Sequence, residues 1–206
     1  MSGARGGVLL LAGMVLFFWG CGSPYYFDLQ SEFPGRQGNV MLDKVLLVED
    51  VEINETYRDF RIVSRESPFQ VRYHRSASWS KPPDELIEDM VALFWKQRMI
   101  FKKVNTYGSG EDPDWTMKIR IGAIERFRVL KKWYARLALE LEIMDAKNNE
   151  PLLTHSFDRK LAMGRNRLRL LPERIAQILQ EELLKVEEKI RMMPGAKEEN
   201  SGVASE

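Results

Sequence analysis

The chain has 206 residues, 44% of them hydrophobic and 30% charged, with a formal net charge of +1. That length fits one domain with at most a short appendage, and the composition excludes collagen-like, low-complexity and wholly disordered chains. Near-neutrality gives no global basic field for nucleic acid, the single cysteine excludes an internal disulfide or a Cys-rich metal site, and two histidines leave little for a His-based one.

Arg5 is the first charged residue and Asp28 the next. A cationic start, an apolar run and the small Gly20 read as a secretory signal peptide over 1–20. The cysteine that follows, Cys21, makes this stretch resemble a bacterial lipoprotein signal. Such signals are cut before the cysteine, its thiol takes diacylglycerol, and the new amino terminus is acylated, typically with palmitate. Phe18 and Trp19 stand where such signals usually carry leucine and a small residue. The competing reading is an uncleaved transmembrane helix, since the charge-free 6–27 is long enough to cross a bilayer. Gly20, Gly22, Ser23 and Pro24 weaken that helix over its last turn, so the lipoprotein reading is preferred. Each buried CH₂ contributes about 0.8 kcal/mol and stable anchoring takes two signals, which a multiply acylated Cys21 supplies. Gly22 after the cysteine, in place of the aspartate that commonly retains lipoproteins in the inner membrane, favours the periplasmic face of the outer membrane.

Beyond the leader, 25–29 is an aromatic-rich strand candidate and 31–39, with Pro34, Gly35 and Gly38, a loop. The apolar run 44–48 reads as a buried strand, and 60–65 with 69–74 as a hairpin turning at Ser67-Pro68. In its second arm Phe69, Val71 and Tyr73 share one face. Pro82-Pro83-Asp84-Glu85 starts a helix, because proline suits the first turn and carboxylates favour the positive end of the dipole. Leu86, Ile87, Met90, Val91, Leu93 and Phe94 give it a broad apolar face. A strand over 101–106 and an acidic, Gly-containing turn over 107–114 follow.

Period-two alternation then dominates. Met117, Ile119, Ile121 and Ala123 form one inward set, and Ala135, Leu137, Leu139, Leu141 and Ile143 another. Asn148-Asn149 turns the chain into a strand over 152–163. A last helix over 172–192 turns Ile175, Ile178, Leu179, Leu183, Val186 and Ile190 inward, and Pro194-Gly195 ends it. The expected architecture is an α+β domain over 21–193. It has a mostly antiparallel sheet, two amphipathic helices on one face, and a disordered tail over 194–206.

The motifs of common chemistries are missing. Neither G-x-x-x-x-G-K-[ST] nor G-x-G-x-x-G occurs, and Gly108-Ser109-Gly110 reads as a turn. G-x-S-x-G is absent, and His74 and His155 lack local metal-ligand partners and read as solvated. Glu111-Asp112-Pro113-Asp114 lacks the ligand series of a calcium loop. With Cys21 acylated, a cysteine nucleophile goes too. We expect no enzyme, cofactor or metal. The stretch 126–136 carries Arg126, Arg128, Lys131, Lys132 and Arg136 among three aromatics and no acid. Rings and cations of this kind suit nucleic acid in a cytosolic protein, a reading the export signal disfavours. The plain reading is a junction of long strands with Lys131 and Lys132 at the turn. The sharper one is contact with lipid phosphates or an acidic partner. Arg165, Arg167 and Arg169 divide in the same way between a solvated face and such a contact.

From Tyr25 to Met192 the chain resembles the ABC-type transport auxiliary lipoproteins, the family of the paraquat-inducible lipoprotein C. The residues that carry this are the opener Tyr25-Tyr26-Phe27-Asp28-Leu29 and the segment 61–83. In that segment Arg65, Ser67 and Pro68 look like the family's hairpin, Tyr73 its tyrosine-bearing strand, and Trp79 and Pro83 the tryptophan before a proline-started helix. Read without the family, Arg65, Tyr73 and Trp79 are core and hairpin residues. The resemblance implies an auxiliary component of an ABC transporter, with ATPase and permease on separate chains and an MCE-type (mammalian-cell-entry) lipid-binding protein as partner. The cargo it implies is phospholipid or another hydrophobic molecule moving between inner and outer membranes. Two alternatives stay open: a structural envelope lipoprotein for secretion or outer-membrane assembly, and a domain that binds lipid in its own apolar pocket. A homo-oligomer is also left open.

Mass spectrometry of the mature amino terminus is expected to find an acylated Cys21 as first residue. An intact Met1 would overturn the lipoprotein reading.

Overall fold

The structure is a computed structural model that describes residues 25–30, 33, 40–106, 110–164 and 168–193. The expected leader 1–20, Cys21, most of the loop 31–39, residues 107–109, Arg165, Arg167 and the tail 194–206 lie outside the described residues.

The elements run β1 (Tyr25–Phe27), β2 (Leu42–Val48), β3 (Glu52–Ile53), β4 (Arg61–Ser67), β5 (Gln70–Trp79), α1 (Pro83–Arg98), β6 (Phe101–Thr106), β7 (Trp115–Val129), β8 (Lys132–Asp145), β9 (Pro151–Ala162) and α2 (Leu171–Arg191). Short 3-10 turns cover Glu55–Tyr57 and Leu168–Leu170. β7 is the spine of the sheet. One of its edges carries β8, antiparallel along its whole length, and β9 continues antiparallel from β8. The other edge is shared in turn by β2, β3 and β4, all parallel to it. β6 adds in parallel to β2, β5 pairs antiparallel with β4, and β1 lies parallel to β5.

The fold class is therefore α+β, but the sheet is mixed, not mostly antiparallel. The reason is general: side chains alternate with the same period in both ladders, so alternation carries no strand direction. Only β4–β5, β7–β8 and β8–β9 are joined by tight turns, and the parallel pairs need the longer connections that α1 and the Glu55–Tyr57 turn occupy.

The inward set of β8 is buried throughout, as its alternation requires. β7 is different. Its register against β8 slips between Ile121 and Ala123, so Ile121 faces Leu139 while Ala123 faces Ala138 and Ile124 faces Leu137. A bulge of this kind reverses which side chains point to each face. Ala123 leaves the set of Met117, Ile119 and Ile121 and Ile124 takes its place. The same slip turns Glu125 and Phe127 to the face bearing Arg136 and Tyr134.

α1 begins with Pro83 at its first turn and Asp84 and Glu85 behind it, as expected. Leu86, Ile87, Met90, Val91, Phe94 and Trp95 are buried. Edge-to-face ring contacts run from Phe33 through Phe94, Trp95 and Phe101 to Trp115, with centroids 5.2, 4.9, 5.6 and 5.7 Å apart. They fasten α1 to β6 and β7. Leu93, expected inward, is 41% exposed: it lies at the rim of the apolar face, whose buried arc extends on its far side to Trp95. The expected inward residues of α2 are all buried. Its Glu187 accepts bonds of 2.7 and 2.9 Å from Arg98 at the end of α1. Among the described residues no helix is long and apolar enough to cross a membrane.

Phe94→Ala is expected to cost about 3–5 kcal/mol in urea unfolding, and Leu93→Ala, next to it on the exposed side, about 1 kcal/mol or less. Equal costs would contradict this packing.

Candidate functional site

The buried carboxylate of Glu125 organises one end of the sheet. Its side chain is fully buried, the Tyr57 hydroxyl donates to it at 2.7 Å, and Arg65 Nε donates to both oxygens at 2.9 and 3.1 Å. Arg136 donates to it at 2.7 Å and, through a second pair of bonds of 2.9 and 2.8 Å, to Asp158. Arg65 also donates to the Tyr57 oxygen at 3.1 Å. One carboxylate thus joins the Glu55–Tyr57 turn, β4, β7 and β8, and Asp158 carries the chain of bonds to β9. Burial raises the Tyr57 phenol from 10.0 to about 12; the Arg65 bond pulls it down and the Glu125 carboxylate adds to the rise. Burial opposes the charge on Arg65, but its bonds to Tyr57 and Glu125 outweigh that and hold it above its ordinary range. The bonded Asp158 raises Arg136, and Arg136 in turn holds Asp158 below its usual value.

Beyond this anchor, β4 and β7 run side by side, with Ser64 beside Arg126 and Arg65 beside Phe127. Each ends in a tight turn, Pro68-Phe69 in one hairpin and Leu130-Lys131 in the other. Glu66 on β4 pairs with Arg72 on β5 at 3.5 Å and with Arg128 on β7 at 4.0 Å, which ties the hairpins together. The sequence places Phe69 in the face of β5, but the structure places it in the turn, 98% exposed; Val71 is exposed too. Leu130 is 92% exposed and has a positive φ of 55°, a conformation that favours glycine.

The cations singled out in the sequence divide here. Arg126 is buried, its guanidinium 3.6 Å from the Trp133 ring centroid. Burial lowers its pKa, which Glu66 offsets and Arg128 reinforces. Lys131 and Lys132 are exposed at the turn, so the structure brings Arg128, Lys131 and Lys132 to one end of the sheet and leaves Arg126 beneath them. Arg169 is elsewhere, over the Tyr25 ring at 5.1 Å and bonded to its hydroxyl at 3.3 Å.

The hairpin residues also resolve. Ser67 precedes the turn, and its Oγ accepts from Phe69 N at 3.4 Å. Tyr73 lies under the Arg61 guanidinium, 4.3 Å away, and donates to Thr56 O at 3.4 Å. Trp79 is a core residue. Neither histidine is solvated as expected. His74 is half-buried with Nε2 2.7 Å from Ser64 Oγ, and burial, then Arg126 and Arg72, lower its pKa. His155 lies 2.8 Å from Glu182 and 3.0 Å from Lys189. Strand alternation does not report partners on α2 or β4, so neither pairing is legible in the sequence. Among the described residues no group of His, Cys, Asp and Glu could hold a metal ion.

A family model described as ABC-type transport auxiliary lipoprotein component matches residues 27–183. A solved structure of a DUF330-family protein from Xanthomonas campestris is similar at TM-score 0.69 and 14% identity, over 78% of this chain and 91% of that one. Another, of an uncharacterized protein, has TM-score 0.64 and 14% identity over 82% and 99%. These likenesses show the fold. No curated protein matches the chain.

Glu125→Gln is expected to cost about 3 kcal/mol, because it leaves two guanidinium groups beside a neutral amide. Because folding raises the Tyr57 pKa, its contribution is complete below pH 10 and is lost as pH climbs towards about 12. The fall, on the order of 2 kcal/mol, should be absent in Tyr57→Phe when denaturant midpoints are followed against pH. A parallel fall in both proteins would refute the assignment.

Proposed function

The chain belongs to the ABC-type transport auxiliary lipoprotein family, and from that premise we propose that it is a membrane-anchored periplasmic accessory of an ABC/MCE-type system. In this reading Cys21 carries the lipid anchor and holds the domain at the outer membrane. The domain docks on an MCE-type substrate-binding protein, and the ATPase and permease are other chains. The cargo is phospholipid or another hydrophobic molecule passing between the membranes. Tethering raises the effective concentration of the domain for a partner that spans the periplasm. Both helices share one face of the sheet in this reading, supported by the Arg98–Glu187 pair and the ring contacts from α1 to β7. That arrangement leaves sheet edges and turns for docking. Residues Arg128, Lys131 and Lys132, with Arg165, Arg167 and Arg169, are the cations nominated for lipid or partner contact.

The single observation that carries the proposal is the match over 27–183, which spans β2 to β9 and most of α2. Affinity capture of the full lipoprotein from native envelopes should recover a substrate-binding or permease subunit. Recovery of outer-membrane assembly or secretion components alone would replace the proposal with a structural role. Cys21→Ser should shift the protein out of the membrane fraction; unchanged sedimentation would remove the anchor.

A further inference from the structure

The paired turns at the end of β4 and β7 put apolar side chains where the domain itself gains nothing from them. Phe69 is 98% exposed and Leu130 is 92% exposed, one on each of two adjacent hairpins. Burial in the core explains neither. Leu130 also occupies a left-handed backbone position that costs a bulky residue strain and a glycine little. A residue kept in an unfavourable conformation, with no internal contact to offset it, points to an external one. Val129, also exposed, extends the same apolar tip.

Charge specifies the occupant. Arg72, Arg128, Lys131 and Lys132 surround these turns, and the carboxylate paired there is Glu66, already shared between Arg72 and Arg128. Exposed apolar tips ringed by cations match the interface of an anionic bilayer, where rings and aliphatic groups enter the acyl boundary and lysines meet phosphates. An acidic protein surface would satisfy the cations but not the fully exposed Phe69 and Leu130.

Chain direction agrees. β1 is parallel to β5 with Tyr25 beside Ala77, so the amino end of β1 faces the turn at which β5 begins. Gln70 lies seven residues back along β5 from Ala77, about 23 Å at about 3.3 Å per residue. Cys21 precedes Tyr25 by four residues, a reach of up to about 14 Å.

We propose that the Pro68-Phe69 and Leu130-Lys131 turns form a membrane-inserting tip that binds anionic phospholipid bilayers independently of the lipid anchor. This goes beyond the transport role and needs neither acylation nor a transporter partner. Its test uses a chain beginning at Gly22, which keeps every buried residue among those described, since these lie between Leu29 and Ile190. That chain is expected to cosediment with phosphatidylethanolamine–phosphatidylglycerol vesicles and to bind phosphatidylcholine vesicles about tenfold more weakly. Phe69→Ser with Leu130→Gly should raise the dissociation constant about tenfold or more, while Leu130→Gly alone leaves the thermal midpoint unchanged or higher because it relieves the turn. Lys131→Gln with Lys132→Gln should weaken binding and flatten its salt dependence. Equal binding by the wild-type and Phe69→Ser/Leu130→Gly chains would overturn the proposal, as would no binding to the anionic vesicles. Loss of the transporter capture described above with vesicle binding intact would strike the transport reading alone.

Discussion

A single desolvated carboxylate sets the geometry of this domain. Glu125 is fully buried yet bonded to Tyr57, Arg65 and Arg136, so the charge is kept inside only because three donors converge on it. A buried charge lacking such partners is costly, and partners arranged this way leave little freedom of register. Arg65 must sit beside β7 at one height, and Arg136 must sit across from Glu125 on β8. The slip between Ile121 and Ala123 is what makes this arrangement available. Without it, Glu125 would continue the inward set of Met117, Ile119 and Ile121 into an apolar core.

Much of the element order is legible in the chain because apolar period is a local property. The alternation of β8, the proline-started α1 and the inward stripe of α2 all follow from neighbours a few residues apart. Strand direction is not local, which is why a mixed sheet was hidden behind an antiparallel expectation. The slip in β7 is equally silent: Gly122 is a hint of a bulge, but Ala123 fits either face by size. The candidate site was half visible. Its cations stood out as a run without acids, whereas the partners of Glu125 come from positions 60 or more residues away for Tyr57 and Arg65. The exposure of Phe69 and Leu130 could not be read at all, since an apolar residue beside a turn looks like any other strand end.

The two helices repeat the same principle in a wetter setting. Glu187 is nearly buried, and Arg98 and Arg191 both bond to it. Glu182 takes His155, Arg159 and Lys185. Burial works against both carboxylates, and their cationic partners bring them net below the usual value. These acids are supports, and Arg159 on β9 and Arg98 on α1 are engaged in holding α2 in place. Lys131 and Lys132 stand apart from that economy of pairs: both are exposed at the turn.

The parallel pairing of β1 with β5 has a mechanical side. β1 holds through its ladder with Ala77, Ser78 and Trp79, a bond of 2.7 Å from Ser80 N to Phe27 O, and the Arg169 contact at Tyr25. If the proposed anchor holds, a pull on the amino end of β1 acts roughly along the strand axis. Tension in that direction shears all of these bonds at once and does not peel them one by one. A three-residue strand then behaves as a clamp, able to pass the jostling of a moving bilayer into the sheet without coming undone.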